Sequence, residues 1–239
     1  MGRRKETILH RAALRNRRNM VEFLLKQGGL SPHETDGNGN TPLHCAALGG
    51  HTDVAQLLVD AGADLEATNS EGDRPLHLGA GAGNLAFLRF LLQVSQSSWQ
   101  KYKILSQAGA TLDSTGCNGN TALHCAAQNA EADVMEELIR RGLSVGLTNA
   151  RWIGSVVYTA DLLNPCFSYL LFFRGESAVH LASGARGSHG DIRHVELLLR
   201  HGSNLKKERT NDGCTAAHYA AESGTKEVTT IFFLLVMNS

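Results

Sequence analysis

The chain has 239 residues, 23 of them basic and 23 acidic, so its formal charge is zero. That balance argues against nucleic acid as the main partner, because phosphate recognition needs a net basic face. The apolar share of 42% supports a folded core, and aromatics at only 6% favour small, close-packed contacts. A local basic cluster (Arg3, Arg4, Lys5, Arg11, Arg15, Arg17 and Arg18) reads first as a solvated polar cap and second as a localisation or anion-binding patch. Five cysteines form no C-x-x-C pair or zinc spacing, no N-x-S/T acceptor occurs, and the start carries no charged-then-apolar leader. The expected setting is a reducing intracellular compartment, cytoplasmic or nuclear.

Six segments share a hydroxyl or polar residue, two further residues, and then His followed by small side chains. In chain order they are Thr7-Ile8-Leu9-His10, Thr41-Pro42-Leu43-His44, Arg74-Pro75-Leu76-His77, Thr121-Ala122-Leu123-His124, Ser177-Ala178-Val179-His180 and Thr215-Ala216-Ala217-His218. The histidines lie 34, 33, 47, 56 and 38 residues apart, so the last three intervals carry extra residues. The Thr or Ser of each segment predicts a helix N-cap. Pro42 and Pro75 fall at the first helical position, where a missing N–H costs nothing. Small pairs such as Ala12-Ala13, Ala46-Ala47, Gly79-Ala80 and Ala126-Ala127 let a neighbouring helix approach closely. Gly50, Gly83 and Gly224 suit a left-handed residue at the helix end. A second helix follows as an apolar stripe: Val21 to Leu25, Val54 to Leu58, Leu88 to Leu92, Val134 to Ile139 and Val195 to Leu198. Gly28, Gly62, Gly109, Gly142 and Gly202 are expected to close it.

A Thr-Pro-Leu-His core at this period resembles the ankyrin-repeat family, over nearly the whole chain apart from two inserts. The resemblance implies an all-α class: an ankyrin-repeat solenoid of helix–turn–helix units joined by short β-hairpin fingers, with contacts only between neighbours. Repeats one to four then occupy 1–149, an irregular apolar insert 150–173, and repeats five and six, the last truncated, 174–239.

Three breaks interrupt the pattern. An extra segment near 93–106 lengthens or duplicates the end of the third outer helix, and Gly184–Gly190 widens a turn by four residues. After Thr148-Asn149 the next finger is expected to begin, yet the apolar and aromatic stretch Arg151–Phe173 intervenes. A membrane span there is disfavoured by Asp161, Asn164 and Pro165 at its centre, since a central Asp costs about 2.5–3.5 kcal/mol. A partner-binding loop and an irregular insert of little functional consequence both stay open. The last outer helix, Ile231 to Val236, has no polar cap after it, so self-association through this end, or a longer parent solenoid, is expected.

Six of the eleven histidines are the repeat histidines, expected to bond their own turn and the neighbouring hairpin. A zinc site from His189 and His194 is the weaker reading of the others. Cys45 and Cys125 read as small core residues, and Cys117 and Cys214 as finger-tip thiols. No phosphate loop, dinucleotide turn, nucleophile elbow or zincin helix is present, and Gly37-Asn38-Gly39-Asn40 reads as a tight hairpin turn. The expectation is a protein without enzymatic activity, cofactor or metal: a scaffold or adaptor for a protein partner. The alternative is a targeting or regulatory portion of a larger signalling or enzymatic protein. The resemblance implies a partner surface across finger tips and inner helices. Its finger residues are Asn38, Asn40, Glu71, Asp73, Arg74, Asn118, Asn120, Glu176 and Asp212, and its inner-helix residues are Arg15, Leu48, Gln128 and Glu222.

Overall fold

Short runs of seven to nine residues are marginal as isolated helices in water, so each repeat holds its two helices by packing them on the next. The computed structural model describes residues 7–97, 114–150, 152–153, 172–173, 175–184, 192–203, 209–211, 213–224 and 226–237. The helix pairs are α1 (Ile8–Leu14) with α2 (Arg18–Lys26), α3 (Pro42–Gly49) with α4 (Thr52–Asp60), α5 (Pro75–Gly81) with α6 (Leu85–Ser97), α7 (Ala122–Gln128) with α8 (Ala132–Arg140), α9 (Ala178–Gly184) with α10 (Arg193–Arg200), and α11 (Ala216–Ser223) with α12 (Lys226–Met237). Odd-numbered helices form an inner layer packed in series from α1 to α11, and even-numbered ones an outer layer packed in series from α2 to α10. One antiparallel pair, β1 (Trp152–Ile153) with β2 (Phe172–Phe173), is the whole sheet among the described residues. The class is all-α.

The helix ends follow from the glycines. Gly50, Gly83 and Gly224 have φ of 69°, 70° and 76°, the left-handed conformation that only glycine adopts without penalty. Gly50 is needed twice over, because a Cβ there would stand 2.6 Å from Oδ1 of Asn84, whose amide is held by bonds to Ala47 O and Leu48 O. The outer helices close at Gly62, Gly142 and Gly202 in the same way. In the first repeat the left-handed residue is Gly29 rather than Gly28, and Gly109 lies outside the described residues. Helix α6 has 13 residues against nine in α4; the rest of the extra segment, and the widened turn at 185–191, lie outside the described residues.

The core repeats with one internal compensation. Two residues after each repeat histidine stands a buried alanine, Ala12, Ala46, Ala126, Ala182 or Ala220, except in repeat three, where Gly79 takes the place. There the outer helix carries Phe87 where repeat two has Val54, and both are fully buried. A Cβ on Gly79 would stand 2.9 Å from Phe87 Cδ1, so the larger outer residue is accommodated by the smaller inner one.

The repeat histidines bond as a series. The backbone N–H groups of Thr41, Arg74, Thr121, Ser177 and Thr215 donate to Nδ1 of the histidine three residues on, at 3.1–3.2 Å. The hydroxyls of Thr7, Thr41, Thr121, Ser177 and Thr215 lie 2.7–2.9 Å from the same nitrogen. The expected cap is thus closed through the imidazole. Because Nδ1 accepts, Nε2 carries the proton, and it donates forward to the next finger: His10 to Asn40 O, His44 to Asp73 O and His124 to Glu176 O, at 2.8, 3.0 and 3.1 Å. In repeat three the acceptor is Ser114 O at 2.9 Å. A second set runs backward at the other end of the inner helices. His51 donates to Leu14 O, Asn84 to Ala47 O and Asn129 to Gly81 O, at 3.1, 2.7 and 2.8 Å. These carbonyls belong to the last turn of a helix, where intrahelical donors run out; Ala47 O also accepts from the C-cap N–H of Gly50 at 3.2 Å.

Two outcomes are expected. Gly79→Ala should destabilise the chain by about 1–3 kcal/mol through overpacking, and the penalty should shrink in a Phe87→Val background; urea unfolding of both single variants and the double variant measures that coupling. Burial holds the His44, His77 and His124 pKa values below the usual 6.5, so the fold favours the neutral rings. The unfolded chain takes up protons near 6.5 that the fold resists, so stability is full above that pH and falls as pH drops below it. Unfolding midpoints measured from pH 8 to pH 5 should decline over that window.

Candidate partner-binding surface

A finger is a five-residue turn between one repeat's second helix and the next repeat's first. In Asp36–Asn40, Asn69–Asp73, Gly116–Asn120 and Thr210–Cys214 the first N–H donates to the last carbonyl at 2.7–2.9 Å. The fourth residue is glycine each time, and Gly39, Gly72, Gly119 and Gly213 all have positive φ. Asp36 and Asn69 hold their turns by accepting backbone N–H bonds from Asn40 and Asp73. Neighbouring fingers are tied through the backbone, Ser70 N–H to Asn38 O at 2.9 Å and Ala150 N–H to Asn118 O at 2.8 Å.

The residue just before each N-cap is spent on this lattice. Asn69 Nδ2 donates to Asn40 Oδ1 at 3.0 Å, Cys117 N–H to Asp73 Oδ1 at 2.7 Å and Asn149 Nδ2 to Asn120 Oδ1 at 2.8 Å. Glu176 accepts from Asn149 Nδ2 across its own finger at 3.1 Å and from the Tyr219 hydroxyl at 2.6 Å, and its carbonyl accepts from His124, so it joins repeats four, five and six. Asp73, Asn120 and Glu176 are buried at 8%, 9% and 0% exposure, which removes them from the partner surface on which the sequence placed them. The reason is geometric: on the returning arm of a finger this position faces the next finger, not solvent. Asn40 is half-buried in the same column. Arg74 is also half-buried, with Nε 3.0 Å from Glu66 Oε2 and Nη1 donating to Thr115 O.

Exposed at the finger tips are Asn38, Glu71 and Asn118, and on the inner helices Arg15, Leu48, Gln128 and Glu222. Leu14 stands beside Leu48 in the adjacent repeat, the two 38% and 45% exposed. Asp212 lies outside the described residues.

The insert is part of a finger. Asn149 N–H donates to Glu176 O at 2.8 Å and Glu176 N–H to Asn149 Oδ1 at 2.9 Å, the pattern made by Asn69 and Asp73 in an ordinary turn. Residues 150–175 therefore replace the three tip residues of the fifth finger. The expectation that the insert precedes this finger is corrected: Thr148 and Asn149 are already its outgoing arm, Thr148 pairing with Ser177. The β1–β2 pair continues the hairpin, Trp152 opposite Phe173 and Ile153 opposite Phe172. The remainder of the insert, with the candidate span, lies outside the described residues, and no described helix is long and apolar enough to cross a membrane.

In the outer layer, Glu137 of α8 is a buried carboxylate that no periodicity announced, standing where repeats one and two carry Phe23 and Leu57. It pairs with Arg89 of α6 at 3.1 Å, with Arg141 at 3.0 Å and with Arg140, pinning two outer helices through charge. His194, one of the pair weighed for zinc, is buried in α10 with Nε2 donating to Ala182 O at 3.0 Å; His189 lies outside the described residues. Glu71, Asp73 and Cys117 bring ligand atoms within 4.8 Å of one another, with one Asp73 oxygen already taken by the Cys117 N–H. Desolvation pushes the Cys125 thiol up to about 12, which leaves it inert.

A family model for ankyrin repeats (3 copies) matches residues 9–101 and 66–149. The chain belongs to the ankyrin-repeat family. Protein phosphatase 1 regulatory subunit 27 of Mus musculus is 41% identical over 59 residues, which is 25% of this chain and 38% of that protein. The 26S proteasome non-ATPase regulatory subunit 10 of Dictyostelium discoideum is 37% identical over 60 residues, 25% of this chain and 26% of that one. The matches thus span well under half of the curated relatives. The ankyrin repeat domain of Bcl-3, a member of the IkappaB family, shares the fold with a TM-score of 0.64, covering 93% of this chain and 82% of that one at 24% identity.

Replacing residues 150–175 by Ser-Glu-Gly, the tip of the third finger, should leave a folded stack. Loop closure scales with the logarithm of length, so this shortening should stabilise by about 2 kcal/mol at most. Thermal unfolding followed by circular dichroism checks it: loss of the helical transition would mean that the insert is packed into the stack.

Proposed function

We propose that the chain is a non-enzymatic scaffold or adaptor that holds a protein segment against its finger tips and inner helices. The observation that carries this reading is a division of labour along one side of the stack. Side chains before the N-caps at Asn40, Asp73, Asn120 and Glu176 are consumed by bonds between fingers and repeats, while the side chains of Asn38, Glu71, Asn118, Arg15, Leu48, Gln128 and Glu222 stand exposed at repeat spacing, Asn38 and Asn118 joining the lattice through their carbonyls. Their character changes along the stack, basic and apolar in the first two repeats, acidic at Glu71, amide-rich at Asn118 and Gln128, which suits a partner read over several units.

A second reading, a targeting or regulatory portion of a larger protein, is favoured by the printed names of two partial relatives, both regulatory subunits. The proposed setting is a reducing compartment, cytoplasm or nucleus, in keeping with the odd cysteine count. Self-association through the C-terminal end belongs to the same proposal, as does the division into 1–149, the insert 150–173 and 174–239.

Joint replacement of Arg15, Asn38, Leu48 and Gln128 by Ala should leave the unfolding midpoint nearly unchanged and reduce capture of an identified partner at least tenfold. Glu176→Ala should act oppositely, costing about 1–3 kcal/mol of stability by stranding buried donors. Undiminished capture by the first variant would move the interface to the outer helices or to the extended finger.

A further inference from the structure

Two departures from the repeat pattern occur together in the outer layer. The position of Glu137 in α8 is held by Phe23, Leu57, Phe90 and Leu197 in repeats one, two, three and five, so an acid stands where the stack otherwise places an apolar side chain. In the outer helix before it, Arg89 occupies a position that carries Glu22, Gln56, Glu136 and Glu196 in repeats one, two, four and five. Glu137 is 2% exposed, and a carboxylate so withdrawn from water requires a cation. It has three. Its Oε2 accepts from Arg89 Nε at 3.1 Å and from Arg140 Nη2, and its Oε1 accepts from Arg141 Nε at 3.0 Å. Three positive charges against one negative leave a surplus of two, and among the described residues no other carboxylate pairs with these arginines.

We propose that Arg89, Arg140 and Arg141 form a docking site for a phosphorylated side chain of a protein partner, with Glu137 as the positioning residue that gathers them. Each guanidinium spends one N–H on Glu137 and keeps the others. The side chains of Arg89, Arg140 and Arg141 are 51%, 64% and 24% exposed, so those remaining donors are open to solvent. Guanidinium forks match phosphate oxygens in pairs, and a phosphate monoester carries close to two negative charges at neutral pH, equal to the surplus. Because Glu137 already orders these long side chains, a ligand does not have to. The surroundings favour a single phosphate over an anionic membrane. The groove alongside, between α8 and α10, is lined by Asp133, Glu136 and Glu196 as well as by Arg193 and Arg200, and the whole chain carries no net charge. A membrane surface attracts a run of basic residues, whereas one compact cluster suffices for one phosphate on a protein segment. The site belongs to the outer layer, apart from the fingers and inner helices, and is independent of the partner surface proposed above.

Nuclear magnetic resonance of the intact chain with isotope-labelled arginines tests it, the probe being the peptide Gly-Gly-phosphoserine-Gly-Gly. The Nε–H signals of Arg89, Arg140 and Arg141 should shift saturably with this peptide. They should stay in place with its unphosphorylated form and with sodium chloride at equal ionic strength. Arg140→Gln, at the last residue of α8, should weaken binding by about tenfold or more through loss of charge-assisted bonds, with the unfolding midpoint nearly unchanged. Arg89→Gln should weaken it equally, and Arg140→Gln decides the matter if Arg89→Gln does not fold. Glu137→Leu restores the apolar residue of the other repeats; it should fold, yet bind the phosphopeptide more weakly despite its added net positive charge. Tighter binding by Glu137→Leu would overturn the positioning role of Glu137. Signals that move equally with sodium chloride, or with nothing, would sink the whole proposal. Shifts with inorganic phosphate but not with the phosphopeptide would replace docking by a site for the free ion. Co-sedimentation with phosphatidic acid vesicles, lost in Arg140→Gln and unaccompanied by peptide binding, would assign the cluster to a membrane instead. The alanine variants of the finger surface should leave every one of these readouts unmoved, so the two proposals fail separately.

Discussion

The stack depends on a neutral imidazole placed at the first turn of each inner helix. Its Nδ1 accepts from the N-cap, which fixes the other nitrogen as a donor; that donor reaches the last carbonyl of the next finger from His10, His44 and His124, and Ser114 O just ahead of it from His77. One ring thus ends a helix and joins two repeats. The bond is buried, so it works in a low dielectric, and its loss would strand polar groups that water does not reach. Burial also favours the neutral form of His44, His77 and His124, the state the geometry requires.

That contact constrains everything above it. The fingers ending at Asn40, Asp73 and Glu176 present their last carbonyl to the ring behind, which fixes the two anchoring ends of the turn, and the last side chains of Asn40, Asp73 and Asn120 are drawn toward the next finger. Asp73, Asn120 and Glu176 are polar residues on a hairpin, the usual description of a solvated recognition loop, and they are interior struts. What is left for a partner is the outer half of each turn and the solvent edge of each inner helix. The backward bonds from His51, Asn84 and Asn129 serve the far end of the same helices, so an inner helix of seven or eight residues is tied to a neighbouring repeat at each end.

A structure held by neighbour contacts tolerates insertion wherever both anchoring bonds survive. The fifth finger carries 26 residues where three suffice, yet Asn149 and Glu176 make the same backbone exchange as Asn69 and Asp73. The insert therefore branches from a tip and leaves the interface between repeats four and five in place. Packing changes are handled just as locally: Phe87 in the outer helix is matched by Gly79 one layer in, with no adjustment needed elsewhere. Glu137 replaces an apolar residue and recruits Arg89 from the adjacent repeat.

Period and cap chemistry were legible because each repeat writes them in local order: the Thr-x-x-His spacing, the small pairs, the helix-ending glycines and the apolar stripe of the outer helix. Helix positions, the all-α class and the family follow from those alone, since hydrogen bonds three or four residues apart are set by spacing. The direction in which a finger side chain points was not legible, because it depends on a residue 29 to 44 positions away: Asn40 on Asn69, Asp73 on Cys117, Glu176 on Tyr219. For the same reason the sequence set the insert before a finger, while the tertiary pairing of Asn149 with Glu176 put it inside one. Local spacing determined the repeat; contact between repeats decided which of its polar residues remain free to meet another protein.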